Sequence, residues 1–126
     1  MQNFRQFEAG PDPFGRKFQV WFKWLQTAIS IRGADTVDVK FVLENEQAGR
    51  AQKTIALPHA DLVALSGETG RKMDDAWCSR LAALHLAHLV ETGEDMEKDI
   101  VAVAPAALKQ YADELARQEA NVASPR

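Results

Sequence analysis

Between Thr36 and Glu44 apolar and polar side chains alternate. Val37, Val39, Phe41 and Leu43 fall on one phase, and Asp38, Lys40 and Glu44 on the other. A period of two sends successive side chains to opposite faces of an extended chain, so this stretch predicts a half-buried strand. Asn45 and Gly49 then supply turn residues. Ile55 and Leu57 again share a face before Pro58 ends the run. The pair predicts a β-hairpin. A two-stranded ribbon is at best marginal alone in water, so it must pack on helices or join a larger sheet.

The stretch from Asp12 to Gly33 carries two periods at once. Phe18, Phe22, Leu25 and Ile29 stand at i, i+4, i+7 and i+11, one face of a helix. Asp12 suits the N-cap, Pro13 the first helical position and Gly33 the residue after the last turn. The rival pattern is the alternation of Phe18, Val20, Phe22 and Trp24, which favours a strand. Two strands would need a turn, and residues 16–32 contain no Gly, Pro, Asn or Asp. One unbroken strand of that length would far exceed the usual ~5–6 residues. Helix is therefore the preferred reading. Its core stripe would hold Phe18, Trp21, Phe22, Leu25, Ala28 and Ile29. A second apolar row, Val20, Trp24 and Ile31, widens the arc to roughly 200°, where one core needs little more than ~100°. Either other elements of the monomer cover that row, or Val20, Trp24 and Ile31 form a contact with a second copy.

Further along, residues 59–66 predict a short helix, and Asp74 or Asp75 caps a longer one that runs to Glu91 and stops at Gly93. Trp77, Leu81, Leu84 and His88 form one stripe of it, with Ala82, Leu86, Leu89 and Val90 round the other sides. A helix apolar nearly all round is a buried one, so residues 75–91 are expected to be the central helix. Residues 100–104, "IVAVA", read as a third short strand or as an extended lead into the last helix. Pro105 opens that helix, and Leu108, Tyr111, Ala112 and Leu115 are its apolar stripe. The fold class expected is α+β: a β-hairpin, with three strands as the fuller version, packed against about three substantial helices. Residues 1–11 are expected as an extended arm, 12–119 as the single globular domain and 120–126 as a frayed tail.

Composition narrows the class. The chain of 126 residues is 46% hydrophobic and 26% charged, the make-up of a folded domain rather than a disordered segment. A single cysteine rules out an internal disulfide framework. The first fifteen residues hold no apolar signal segment, and no apolar run reaches the ~18 residues of a membrane span. A cytoplasmic setting follows as the expectation. Net charge is −3, with five bases against two acids in residues 1–33 and eight acids against four bases in residues 91–126. No basic stripe emerges, which makes nucleic acid a poor partner.

Candidate chemistry is sparse. Cys78 and His85 are seven residues apart, about 10 Å along a helix, too far to share a metal. His85 with His88, or His88 with Glu91, stand three apart, so each pair can meet one ion. A full site would need ligands from elsewhere, and no H-E-x-x-H or paired C-x-x-C is present. Cys78, one turn into its helix, gains from the dipole but faces Asp74 and Asp75. "SGETGRK" lacks the complete phosphate-loop pattern, and His59 beside Asp61 reads as capping.

No catalytic residue and no cofactor are indicated. The function expected is a non-catalytic protein-interaction or regulatory module, acting as a homodimer. The alternative is a small-ligand or metal-binding protein that uses His85 and His88, with Glu91, beside an aromatic pocket.

Overall fold

The computed structural model of the protein describes residues 3–28 and 35–123. Five strands form one sheet in the order β1 (Gln6–Ala9), β2 (Phe18–Ala28), β3 (Thr36–Asn45), β4 (Gly49–Pro58) and β5 (Ile100–Ala102). The first four pair antiparallel. β5 joins β4 in parallel, after a crossover through α1 (His59–Thr69) and α2 (Asp75–Thr92). A last helix, α3 (Pro105–Ala123), follows β5. The architecture is α+β, with three substantial helices and α2 at the centre.

The predicted hairpin is β3–β4. Val37, Val39, Phe41 and Leu43 face the core opposite Leu57, Ile55, Lys53 and Ala51. Asn45 shapes the turn, its Oδ1 accepting from the backbone N–H of Gln47 at 2.7 Å and of Ala48 at 2.8 Å. Residues 100–102 do form a strand, the short parallel edge β5.

The helix expected from Asp12 to Ile31 is corrected to a strand wherever the structure describes it. β2 runs eleven residues without a turn and pairs with β3 from Gln19 to Ala28. What interrupts it is a bulge, where the register shifts between Phe22 and Trp24. A bulge adds one residue and reverses the phase of the pleat. Phe18, Val20 and Phe22 therefore face the core before it, and Leu25 and Thr27 after it, opposite Leu43, Phe41, Val39 and Val37. The spacing 18, 22, 25 that mimicked a helical stripe belongs to a strand with one extra residue at Lys23. Ile29, the last member of that stripe, lies outside the described residues.

The segment read as an arm is built into the sheet. Gln6–Ala9 pairs with Trp21–Phe18, and Phe4 is buried against Phe22 with ring centroids 5.7 Å apart. The loop back to β2 is tied by Asp12, whose carboxylate accepts from the backbone N–H of Phe14 and Arg16 and from the Arg16 guanidinium. Gly10 starts this loop with φ 113°, and a Cβ there would stand 2.8 Å from the Arg16 carbonyl oxygen. A Gly10→Ala protein is expected to lose about 2 kcal/mol, read by thermal or urea unfolding.

Asp74 is the N-cap of α2, accepting from the Trp77 N–H at 2.8 Å, and Gly93 ends the helix at φ 76°. Leu81, Ala83, Leu86, Leu89 and Val90, which together span more than half of the circumference of α2, are all fully buried. α3 buries Leu108, Tyr111, Ala112 and Leu115, the predicted stripe, and continues to Ala123. Among the described residues no helix is long and apolar enough to cross a membrane.

Candidate interaction surface

The core cluster joins the helices to one face of the sheet only. Strand register defines the other face, row by row. Two middle rows run Gln6–Trp21–Val42–Gln52 and Trp24–Lys40–Thr54–Ile100. The flanking rows run Glu8–Gln19–Glu44–Arg50 and Gln26–Asp38–Ala56–Ala102. Val42 and Ala56 are 4% and 7% exposed, yet neither belongs to the core cluster, because they are covered by their neighbours on this second face.

Trp21 and Trp24 are both half-buried here. The Lys40 ammonium lies 5.5 Å from the centre of the Trp24 ring, a cation–π contact across the β2–β3 pair. Ile100, 67% exposed, closes the same row at the β5 edge. Lys40, Gln52, Thr54, Asp99 and Ile100 enclose a depression of about 310 Å³. The rim is polar with both signs: Glu8 near Gln19, Glu44 with Arg50 at 3.8 Å, and Asp38 accepting from Thr36 at 2.8 Å. Tryptophans, Val42 and Ile100 interleaved with polar groups, inside a rim of both signs, make this face a candidate for protein contact.

The three residues expected at an interface separate. Trp24 does lie on this open face. Val20 does not: it is 0% exposed, packed in the monomer core opposite Leu43, because the strand period sends it to the face opposite Trp21. Ile31 lies outside the described residues. Trp21, assigned to the core stripe on the helical reading, takes the place of Val20. Val42 was missed as well. The readable signal was an apolar residue on the polar phase of an otherwise alternating strand.

The histidines sit at the opposite side of the molecule, between α2 and α3. His85 is 8% exposed, with Nδ1 2.7 Å from the Tyr111 hydroxyl and Nε2 buried without a hydrogen-bond partner. Burial, and then the neighbouring His88, pull its pKa down to about 4, so at neutral pH it is uncharged. His88 is exposed, its ring stacked on His85 at 6.3 Å and its Nε2 4.0 Å from a Glu94 carboxylate oxygen. Glu91 is exposed. Among the described residues no three His, Cys, Asp or Glu side chains are placed to hold a metal ion together, so His85, His88 and Glu91 do not converge on one point.

Cys78 is buried, and burial followed by Asp75 and Asp74 pushes its thiol up to about 11, the reverse of an activated nucleophile. The "SGETGRK" segment forms the end of α1 and the link to α2, where the Ser66 hydroxyl donates to the Arg71 carbonyl. His59 donates its backbone N–H to the Asp35 carbonyl at the start of α1. No matching family model, similar curated protein or matching solved structure is found for the chain.

Proposed function

We propose that this chain is a small, non-catalytic interaction or regulatory module that pairs with a second copy of itself through the open face of its sheet. The observation that carries this reading is the helix-free face, with Trp21, Trp24 and Val42 in the middle of a rim that bears both charges. Mixed signs suit a two-fold contact, in which a patch must complement itself. Lys40 and Arg50 offer positive charge, and Glu8, Asp38 and Glu44 offer negative charge. The three carboxylates on the same face argue against a nucleic-acid backbone as its occupant.

Size supports the same occupant. Three strands of ten or eleven residues and two of three or four, at ~3.4 Å per residue and ~4.8 Å between strands, give a flat face of roughly 600 Å². A standard stable interface takes about 800 Å² per partner, and side-chain relief adds to the flat area. A cytoplasmic location fits the single thiol, buried and unpaired at Cys78.

The test is solution mass at micromolar concentration. The wild type is expected at twice the 14.0 kDa monomer. Trp24→Glu, and more so Trp21→Glu with Trp24→Glu, is expected to raise the dissociation constant at least about a hundredfold, because a two-fold interface suffers each change twice. Circular dichroism checks that the fold persists. Val63→Glu, on the exposed side of α1, is expected to leave the dimer intact. A wild type that stays monomeric, or a double variant that stays dimeric, overturns the reading.

A further inference from the structure

We propose that the His85–Tyr111 contact is an acid-sensitive latch that holds α3 against α2 and releases it when the surroundings acidify. The geometry has three parts. His85 and Tyr111 form a buried polar link between the two helices, with ring centroids 5.5 Å apart and the hydroxyl 2.7 Å from Nδ1. The rest of the α3 stripe, Leu108, Ala112 and Leu115, is apolar. On the far side of the imidazole, Nε2 is enclosed with nothing to bond to.

A neutral ring tolerates that arrangement. With Nδ1 donating to the Tyr111 oxygen, Nε2 carries a lone pair and only an acceptor goes unmet. A protonated ring has an N–H on both nitrogens. Nδ1–H keeps Tyr111, while Nε2–H becomes a charged donor in a dry place, which is costly. Releasing α3 takes Tyr111 from Nδ1 and frees the ring to turn, so that the charged imidazole reaches water.

The surrounding charges do not rescue the cation. On α2 the nearest titratable group is His88, stacked on His85 and of the same sign once protonated. On α3 it is Tyr111, whose hydroxyl burial pushes up to about 12, with the Glu94 and then the Glu114 carboxylate adding to that. From the α2–β5 loop, Glu94 approaches His88, and Asp95 alone draws His85 toward the charged form. From the sheet, the buried Lys53 ammonium donates to the carbonyls of that same loop and offers no acceptor.

The sign follows from the depressed pKa. His85 is neutral in both the docked and the released form above about pH 6.5, so docking is complete there. As pH falls from about 6.5 toward about 4, the released form takes up a proton first and gains population.

Amide hydrogen exchange on the whole protein, with a chelator present, tests the latch. Protection factors in α3 are expected to fall about thirtyfold between near pH 7.5 and near pH 5, while those of β3 and β4 hold. His85→Gln is expected to abolish that fall. Tyr111→Phe is expected to loosen α3 at both pH values and keep the fall, because the titrating ring remains. Should either variant fail to fold, the His85 ring resonance in the wild type decides: a midpoint well below the ordinary histidine range supports the latch. An ordinary midpoint, a fall that spreads evenly over α3 and the sheet, or an undiminished fall in His85→Gln overturns it.

Discussion

Phe41→Ala is expected to cost about 4 kcal/mol, the largest loss from any single change considered. Phe41 is 0% exposed in the middle of β3. Its ring meets Phe7 of β1 and Phe22 of β2 edge-on, each with centroids 6.2 Å away, and Phe22 in turn meets Phe4. Deleting the ring removes its transfer energy and leaves a cavity that strands on both sides cannot close. It also removes the aromatic contacts through which β1 is fastened to the sheet. A domain of this size has about 5–15 kcal/mol in total, so the variant sits near the edge of folding. Urea unfolding measures the loss, and amide exchange should show β1 opening before β3 and β4. A loss under about 1 kcal/mol would mean the aromatic ladder is dispensable.

The second large effect is expected from Lys53→Met, a loss of about 2–3 kcal/mol. Lys53 is 3% exposed on the core face of β4, and its ammonium donates to the carbonyls of Asp95, Met96 and Lys98. One cation thereby satisfies three acceptors of the loop that leads from α2 to β5. Burial draws the ammonium below the ordinary lysine range, and the carboxylates of Asp99, Glu97 and Asp95 work against that. Two effects oppose each other in the variant. Removing a buried charge returns its desolvation cost, while three carbonyls lose a charged donor. The second effect wins, because methionine matches the stem but bonds none of them. Part of the loss returns as water reaches the loop, whose residues are largely exposed. Thermal unfolding gives the size, and lowered exchange protection in residues 94–102 identifies the cause. Equal stability with an unchanged loop would show that water replaces the ammonium at no cost.

The open face of the sheet is half legible in the chain. Trp24 stood out as an apolar residue in excess of what one core needs, and it does lie on the open face. Val20 was placed beside it because both fit a second helical row. Strand period instead puts Val20 in the core and Trp21 outside. The histidine pair is legible as a pair; that Tyr111, twenty-six residues away, meets the Nδ1 of His85 is not, because only the packing of α3 on α2 brings the two together. Lys53 gave no signal, because a lysine on the apolar phase of a strand reads as an ordinary surface residue until a loop arrives over it.

Local pattern by itself determined the β3–β4 hairpin, the caps and burial of α2, the apolar stripe of α3 and the α+β class. Each rests on interactions within a few residues: alternation along a strand, an Asp at a helix start, a Gly at its end. Only the tertiary structure decided that residues 18–28 are a strand. Their aromatic spacing satisfies a helix, and it equally satisfies a strand with one extra residue at Lys23. Nothing local separates the two, because a bulge takes its register from the strand beside it. Once β3 presents Val37, Val39, Phe41 and Leu43, pairing with it buries Phe18 and Val20, half-buries Phe22 and Leu25, and turns both tryptophans outward. A helix could bury the same residues, but it would leave the β3 edge without a partner for its backbone.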